Sequence, residues 1–460
     1  MRIFGAIALG VVLVSSPAKA QDTIRIGILH SLSGSMAPQE AMLKDAVLML
    51  VDEQNKKGGV LDKKIEAVVV DPASNWPLFA EKARELITKD KVSAIFGCWA
   101  SVSCRAVLPV VSELNGILFN PSPYNASQMP QTSGRTGPAV DRNVFYLGAS
   151  PDQLVLPIVN HLLNKEGFQR WLIVGTDYPY SRDINKTIEE RLRSRNISSG
   201  DIMMRYASFG STDWGSIVSS LKGFGSSGKK TAVISTLAGD DKVQFLRAIR
   251  EQNANGVTVA IFPESEGELA GLDANSARYL VGSNYLQSIN TSANVAFIKS
   301  WRQFTKNSKS VVTPGIEAHA IGFAMWIEAV KRQKTADPDK VIAALPGISV
   351  PTLTGGTAKM FADHHINKPL FLGQLNPTGV LRADGRWPSI EHCGPLQACG
   401  QDSPPITPGD GGDTGGSGGN TPGSPGLVPP AGGGVGSNSG GGDPCIDPAM
   451  RNDERCKRSR

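Results

Sequence analysis

Four short loops, each just after an apolar run, carry the side chains of this chain best suited to chemistry. The first is Gly97-Cys98-Trp99-Ala100-Ser101-Val102-Ser103, after the run Val92 to Phe96. Gly97 permits a tight turn, and Ser101 stands where a helix would start. A helix start presents orphan N–H groups and a partial positive charge, which suit a carboxylate or a carbonyl oxygen. The plainer alternative, with Ser101 capping its helix and Trp99 filling core, stands beside that reading. The second loop, Asn120-Pro121-Ser122-Pro123-Tyr124, and the third, Asp177-Tyr178-Pro179-Tyr180, combine stiffening prolines with hydroxyls that donate or accept. Each taken singly also reads as a plain turn; together they suit recognition of a small, polar, neutral molecule. The fourth, Glu264-Ser265-Glu266-Gly267-Glu268, offers a carboxylate to an NH₂ group, or is a solvated acidic loop.

Nucleophilic and metal chemistry find no matching pattern. No Gly-x-Ser-x-Gly elbow sits between a strand and a helix, and the six histidines keep neither triad nor metal-ligand spacing. His364-His365 reads as a surface turn. Gly223 to Lys229 follows most of a phosphate-binding loop. Lys230 stands where Ser or Thr must hold magnesium, however, and the segment precedes a strand where the motif follows one. Reversible binding is the chemistry left, so no catalytic residue, metal or cofactor is expected.

The elements that must position these loops alternate along the chain. β-branched runs at Ile24 to His30, Lys64 to Val70, Val92 to Phe96, Gly116 to Phe119, Val144 to Leu147, Trp171 to Gly175, Ile202 to Tyr206, Thr231 to Thr236, Val257 to Phe262 and Tyr279 to Ser283 read as strands. Helical segments lie between them, among them Ala41 to Asn55 and the segment opened by Pro77 after Ser74 and Asn75. Lys359 to Phe361, Lys368 to Leu375 and Gly379 to Leu381 read as closing antiparallel strands. This is an α/β pattern with too many units for one sheet. Two doubly wound parallel-sheet lobes are the economical arrangement, with ligand in the cleft outside the carboxyl ends of the strands. The expected division is 21–148 plus 284–346 for the first lobe and 149–283 plus 347–400 for the second.

Both ends of the chain read as separate from that fold. Residues 1–20 have the make-up of a secretory signal peptide: Arg2, an apolar run from Ile3 to Val14, and Ala18-Lys19-Ala20 at the cleavage point. No later stretch approaches the ~20 apolar residues that span a bilayer. The protein is therefore expected in the periplasm, without direct membrane insertion. Residues 401–444, rich in Gly, Pro and Ser, read as a disordered linker reaching roughly 35 Å, and 445–460 as a short Cys-containing tail. Cysteine clustering in an exported chain suggests the local pairs Cys98 with Cys104, Cys393 with Cys399 and Cys445 with Cys456, though spacing leaves the pairing open. The 460 residues carry a formal charge of +5, with basic residues scattered among acidic ones, which argues against a nucleic-acid partner.

A family resemblance rests on longer motifs: ILHSLSGSMA, EQNKKGGVLDKKIEAVVVDPASNWPLFAEKARELITKDK, FGCWASVS, GTDYPYSR, GKKTAVISTLAGD, EAHAIGFAMWIEAV and SVPTLTGG with ADHHINKP. Over roughly residues 24 to 380 these resemble the urea-binding proteins of bacterial urea ABC importers, of the branched-chain-amino-acid type. The resemblance implies a type I periplasmic binding protein fold, two lobes joined by a three-strand hinge. It also implies a monomer that closes over urea or a short amide and delivers it to a membrane permease. Carried over position by position, Trp99, Ser101, Asn120, Ser122, Pro123, Tyr178, Tyr180 and Glu266 are the implied ligand residues, with Asn120 where relatives usually carry tyrosine. An amino-acid binder, or a periplasmic amide sensor on the same fold, is the alternative.

Overall fold

β-branched runs become central strands here because both faces of each sheet are covered by helices. The computed structural model describes residues 23–124, 141–252, 254, 257–263, 265–269, 277–376, 381–392 and 405–406. The expected signal peptide, Glu264, and Cys393, Cys399, Cys445 and Cys456 lie outside them, as does nearly all of the expected linker and tail.

The chain begins with β1 (Ile24–Leu29), α1 (Ala37–Lys56), β2 (Ile65–Val70), α2 (Trp76–Thr88), β3 (Ile95–Gly97), α3 (Ser101–Glu113), β4 (Leu118–Asn120) and β5 (Val144–Tyr146). These strands form one parallel sheet in the order β2-β1-β3-β4-β5. Parallel neighbours need a crossover, and each helix supplies one. α2 starts as expected, with Pro77 in its first turn and the Asn75 side chain accepting from the Leu78 N–H.

The second lobe follows with α4 (Pro151–Asn164), β6 (Arg170–Thr176), α5 (Pro179–Ser194), β7 (Ile202–Ala207), α6 (Trp214–Gly225), β8 (Thr231–Thr236), α7 (Asp240–Glu251), β9 (Thr258–Ile261) and β10 (Arg278–Ser283). The chain then returns to the first lobe as α8 (Ser292–Phe304), α9 (Pro314–Gln333), α10 (Pro338–Ala344) and the hairpin β11 (Ser349–Pro351) with β12 (Thr357–Lys359). It ends in the second sheet as β13 (Lys368–Leu375) and β14 (Leu381–Ile390), both antiparallel, giving the order β14-β13-β10-β9-β8-β6-β7.

Each sheet is covered on both faces. In the first lobe, Val47, Phe96, Trp326 and Val341 share one core, and Phe79, Leu86, Val107 and Val111 the other. In the second, Trp214, Val218 and Phe245 pack on one face, and Ile158, Trp171 and Ile188 on the other. Three crossovers join the lobes, around residues 147–150, 284–291 and 361–367. Gln153, at the start of α4, fastens them. Its Nε2 donates to the Ile366 and Ile390 carbonyls at 2.7 and 2.9 Å, and its own carbonyl accepts from Asn284 Nδ2 at 3.2 Å.

Several sequence expectations need correction. The β11–β12 hairpin belongs with the first lobe, since Ile348, Val350, Ala358, Met360 and Ile366 complete its core; the expected boundary at 347 comes too early. β14 begins where the expected Gly379 to Leu381 strand ended, and runs on to Ile390. His364 and His365 are no surface turn: they are 7% and 2% exposed, with the His364 ring stacked on Phe145 and His365 Nδ1 2.6 Å from the Tyr124 hydroxyl. Ile406 pairs with Arg386 beside β14, so the chain past 400 touches the fold at that point.

Candidate functional site

The first loop is shaped by a backbone that only certain residues tolerate. Gly97 has φ +155°, and a Cβ there would stand 2.3 Å from the Leu29 carbonyl oxygen, so glycine is required where β3 passes the end of β1. Cys98 follows with φ 58°, unusual for a residue with a side chain. A disulfide joins Cys98 to Cys104, in the first turns of α3, and both cysteines are buried. Of the pairings suggested by the sequence, this one lies within the described residues and is formed.

Ser101 is not the cap of α3. That position belongs to Ala100, and Ser101 Oγ instead donates to the Tyr178 hydroxyl at 3.0 Å. Ser101 belongs to the first lobe and Tyr178 to the second, where it precedes Pro179 at the start of α5. Two residues singled out 77 positions apart thus meet across the cleft. Trp99, half-buried, lays its ring against Gly315 at the start of α9, where a Cβ would come within 2.8 Å of the ring.

Asn120 is the last residue of β4 and Ser122 lies just beyond it; both are buried. Asn120 Oδ1 accepts from the Ser122 N–H at 3.0 Å and from Ser122 Oγ at 2.8 Å, a side-chain turn that fixes the loop. Its Nδ2 has no hydrogen-bond partner among the described residues. Cys104 Sγ lies 3.7 Å from Asn120 Oδ1 and 3.6 Å from Ser122 Oγ, so the bridge packs beneath this second loop. Pro123 is half-buried beside it.

On the second lobe, Tyr178 meets Phe209 edge to face at 5.7 Å between centroids, and Phe209 is 62% exposed. Tyr180 does not stand in an open loop as expected: it lies inside α5 and packs against the core around Ile158 and Ile184. Glu266 is in a short 3-10 turn, Glu266–Leu269, and both carboxylate oxygens are engaged. Oε2 accepts from the Ser288 N–H at 2.8 Å and Oε1 from its hydroxyl at 2.5 Å, which ties this turn to the second crossover.

Sequence reasoning passed over a polar cluster behind the first loop. His30 Nε2 and His319 Nε2 stand 2.9 Å apart, fully buried, and Glu40 Oε2 lies 3.3 Å from His30 Nδ1 while accepting from the Ser31 N–H at 2.7 Å. Burial pushes His30 down to about 3 and Glu40 up to about 7, the Ser31 N–H opposing the latter. A neutral imidazole makes the His30–Glu40 contact a hydrogen bond and not an ion pair. The signal was His30 itself, a polar residue at the carboxyl end of an otherwise apolar strand.

The two lobes thus bring the Ser101 and Tyr178 hydroxyls together; no group of three or more His, Cys, Asp or Glu side chains among the described residues could hold a metal. Comparison with known proteins agrees with this architecture. The family model for the periplasmic binding protein domain matches residues 24–383. Leu/Ile/Val-binding protein homolog 6 of Brucella melitensis is 21% identical over 82% of this chain and 93% of that protein. The leucine-, isoleucine-, valine-, threonine- and alanine-binding protein of Pseudomonas aeruginosa is 20% identical over 77% and 90%. Among solved structures, an ABC-transporter solute-binding protein of Rhodopseudomonas palustris HaA2 with p-hydroxybenzoic acid superposes with a TM-score of 0.67 at 20% identity, covering 82% of this chain and 99% of that one. A leucine-binding protein of Thermotoga maritima gives 0.63 at 15%, covering 79% and 98%.

Proposed function

This chain belongs to the periplasmic binding protein domain family, and on that premise we propose that it is a solute-binding protein of an ABC transporter that captures urea or a short-chain amide by closing its lobes. The observation that carries this reading is the 3.0 Å contact between Ser101 Oγ and the Tyr178 hydroxyl. Where hydroxyls of opposite lobes already touch, the space between them suits a solute of few atoms. Asn120 Nδ2 is a buried donor without a partner among the described residues, and leaving such a donor unmet costs about 1–3 kcal/mol. A carbonyl oxygen of urea or acetamide meets that need. Trp99 supplies a flat apolar wall for a planar amide, with Ser122 and Pro123 setting the depth of the pocket.

The size of the solute sets the demand on the site. At a ceiling of about −1.5 kcal/mol per heavy atom, a four-atom solute gains roughly −6 kcal/mol. Nearly every polar atom must then be satisfied. Family membership places the protein in the periplasm, and the signal-peptide pattern at 1–20 supports export there. Its partner is the membrane permease of an importer, and it acts as a monomer.

A second reading is a free amino acid, favoured by the names of the relatives from Brucella and Pseudomonas. It needs a carboxylate for the ammonium group, and the carboxylate of Glu266 already accepts from Ser288 on both oxygens. Titration calorimetry with urea, acetamide, leucine and 4-hydroxybenzoate separates the readings. Heat with urea or acetamide is expected; binding of leucine or 4-hydroxybenzoate alone overturns the amide assignment.

A further inference from the structure

We propose that the Cys98–Cys104 disulfide is a positioning element of the solute site, holding Ser101 against Tyr178 and bracing the Asn120–Ser122 turn, so that affinity depends on it. This rests on the solute-binding reading above. The bridge closes a ring of seven residues with Ser101 inside it. A short ring restricts the unfolded chain less than a long one, so the stronger consequence lies in the folded loop. Within that ring Cys98 holds a left-handed backbone at φ 58°, which residues with side chains avoid when nothing over-determines it. The bond fastens this turn to the start of α3. On its other side Cys104 Sγ contacts both Ser122 Oγ and Asn120 Oδ1, the pair that forms the second loop. One buried bond thus underlies both first-lobe recognition loops, and one residue between its ends reaches the opposite lobe. Without it, Ser101 keeps its hydroxyl but loses its fixed place opposite Tyr178. A solute must then order the loop as it binds.

The full chain carrying Cys98→Ala and Cys104→Ala, alone and together with Ser101→Ala, is titrated with urea and acetamide by calorimetry. Hydrogen exchange is followed on the solute-free proteins. The double variant is expected to bind roughly tenfold more weakly. Added to Ser101→Ala, the loss of the bridge should cost less than it does alone, because part of its effect runs through that hydroxyl and the rest through the Asn120–Ser122 turn. Amides of residues 98–103 and 177–181 should exchange faster, while those of β1 and β6 stay protected. Undiminished affinity, fully additive losses or unchanged exchange overturn the proposal. If the unaltered protein binds neither solute, the amide reading fails and exchange decides the role of the bridge by itself. If β1 and β6 also lose protection, the unaltered protein is reduced with dithiothreitol, whose two thiols pass two electrons and two protons to the bridge and close into a cyclic disulfide. The same exchange pattern is then sought.

Discussion

Two side chains at the cleft make opposite kinds of demand, and each yields a prediction. Ser101 Oγ spends its hydrogen on Tyr178 and lies outside the capping position of α3. Ser101→Ala should therefore spare the fold and weaken urea or acetamide binding by about 1–3 kcal/mol, read by calorimetry with a melting curve alongside. A fall in melting temperature with unchanged affinity would return Ser101 to a purely structural part. Asn120 does two jobs at once. Its Oδ1 satisfies the Ser122 N–H and hydroxyl, while its Nδ2 meets no partner among the described residues. Asn120→Asp keeps the acceptor but replaces the donor with charge. That variant should retain the loop and lose most affinity for a carbonyl-bearing solute. Equal binding by Asn120→Asp would show that Nδ2 faces no ligand.

At the scale of elements, what the sequence made legible was whatever burial on two faces writes into residue type. Runs such as Ile24 to Leu29 and Thr231 to Thr236 read as strands almost to their ends because β-branched and apolar residues fill most of their buried positions. The candidate loops stand out by their place after those strands, and of their residues Ser101 and Tyr178 meet in the structure. What stayed hidden has a common cause. His364-His365, Glu266 and Tyr180 look polar in sequence, and only tertiary contacts reveal their packing with Tyr124, Ser288 and the α5 core. The same blindness hid the His30–His319 pair, whose two halves lie 289 positions apart.

These buried groups give the fold a particular pH dependence. Burial holds His30, His319, His364 and His365 below the ordinary 6.5, His30 to about 3 and His365 to about 2. The unfolded chain takes up these protons first, so their contribution is present above pH 6.5 and lost as pH falls through that value. Glu40 and Glu317 are raised by burial from 4.5 to about 7. Their contribution is present below pH 4.5 and lost as pH rises to 7. Between 4.5 and 6.5 the two sets oppose each other, but four histidines outweigh two carboxyls as pH falls. Below 4.5 the histidine loss continues unopposed, at up to about 1.4 kcal/mol per group per pH unit, and Glu166, which against its burial is held at about 2 by His161 and Arg278, adds to it. The urea midpoint should fall from pH 6.5 to 4.5 and drop more steeply below. His365→Gln should make that drop shallower by about one proton, and a midpoint still rising at pH 4 would contradict the assignment.

For the whole molecule, the question is what sets the balance between open and closed lobes. The three crossovers converge on Gln153, which ties the start of α4 to Ile366 in the third crossover, to Ile390 at the end of β14, and through Asn284 to the second crossover. Asn284 Nδ2 also reaches the Pro369 carbonyl at 2.6 Å. On the proposed lobe closure, a hinge fastened this way would leave the lobes few relative orientations. Affinity observed is the intrinsic affinity reduced by the fraction of molecules ready to close. Gln153→Ala leaves the Ile366 and Ile390 carbonyls without their side-chain donor and should cost about 1–3 kcal/mol of stability. It should also weaken solute binding, although Gln153 lies in the hinge and not among the cleft loops. Small-angle scattering should then show a larger radius of gyration for the solute-free variant than for the unaltered protein, and the same radius once solute is saturating. Reduced stability with unchanged affinity and radius would mean that Gln153 only holds the crossovers together and leaves lobe closure to the loops themselves.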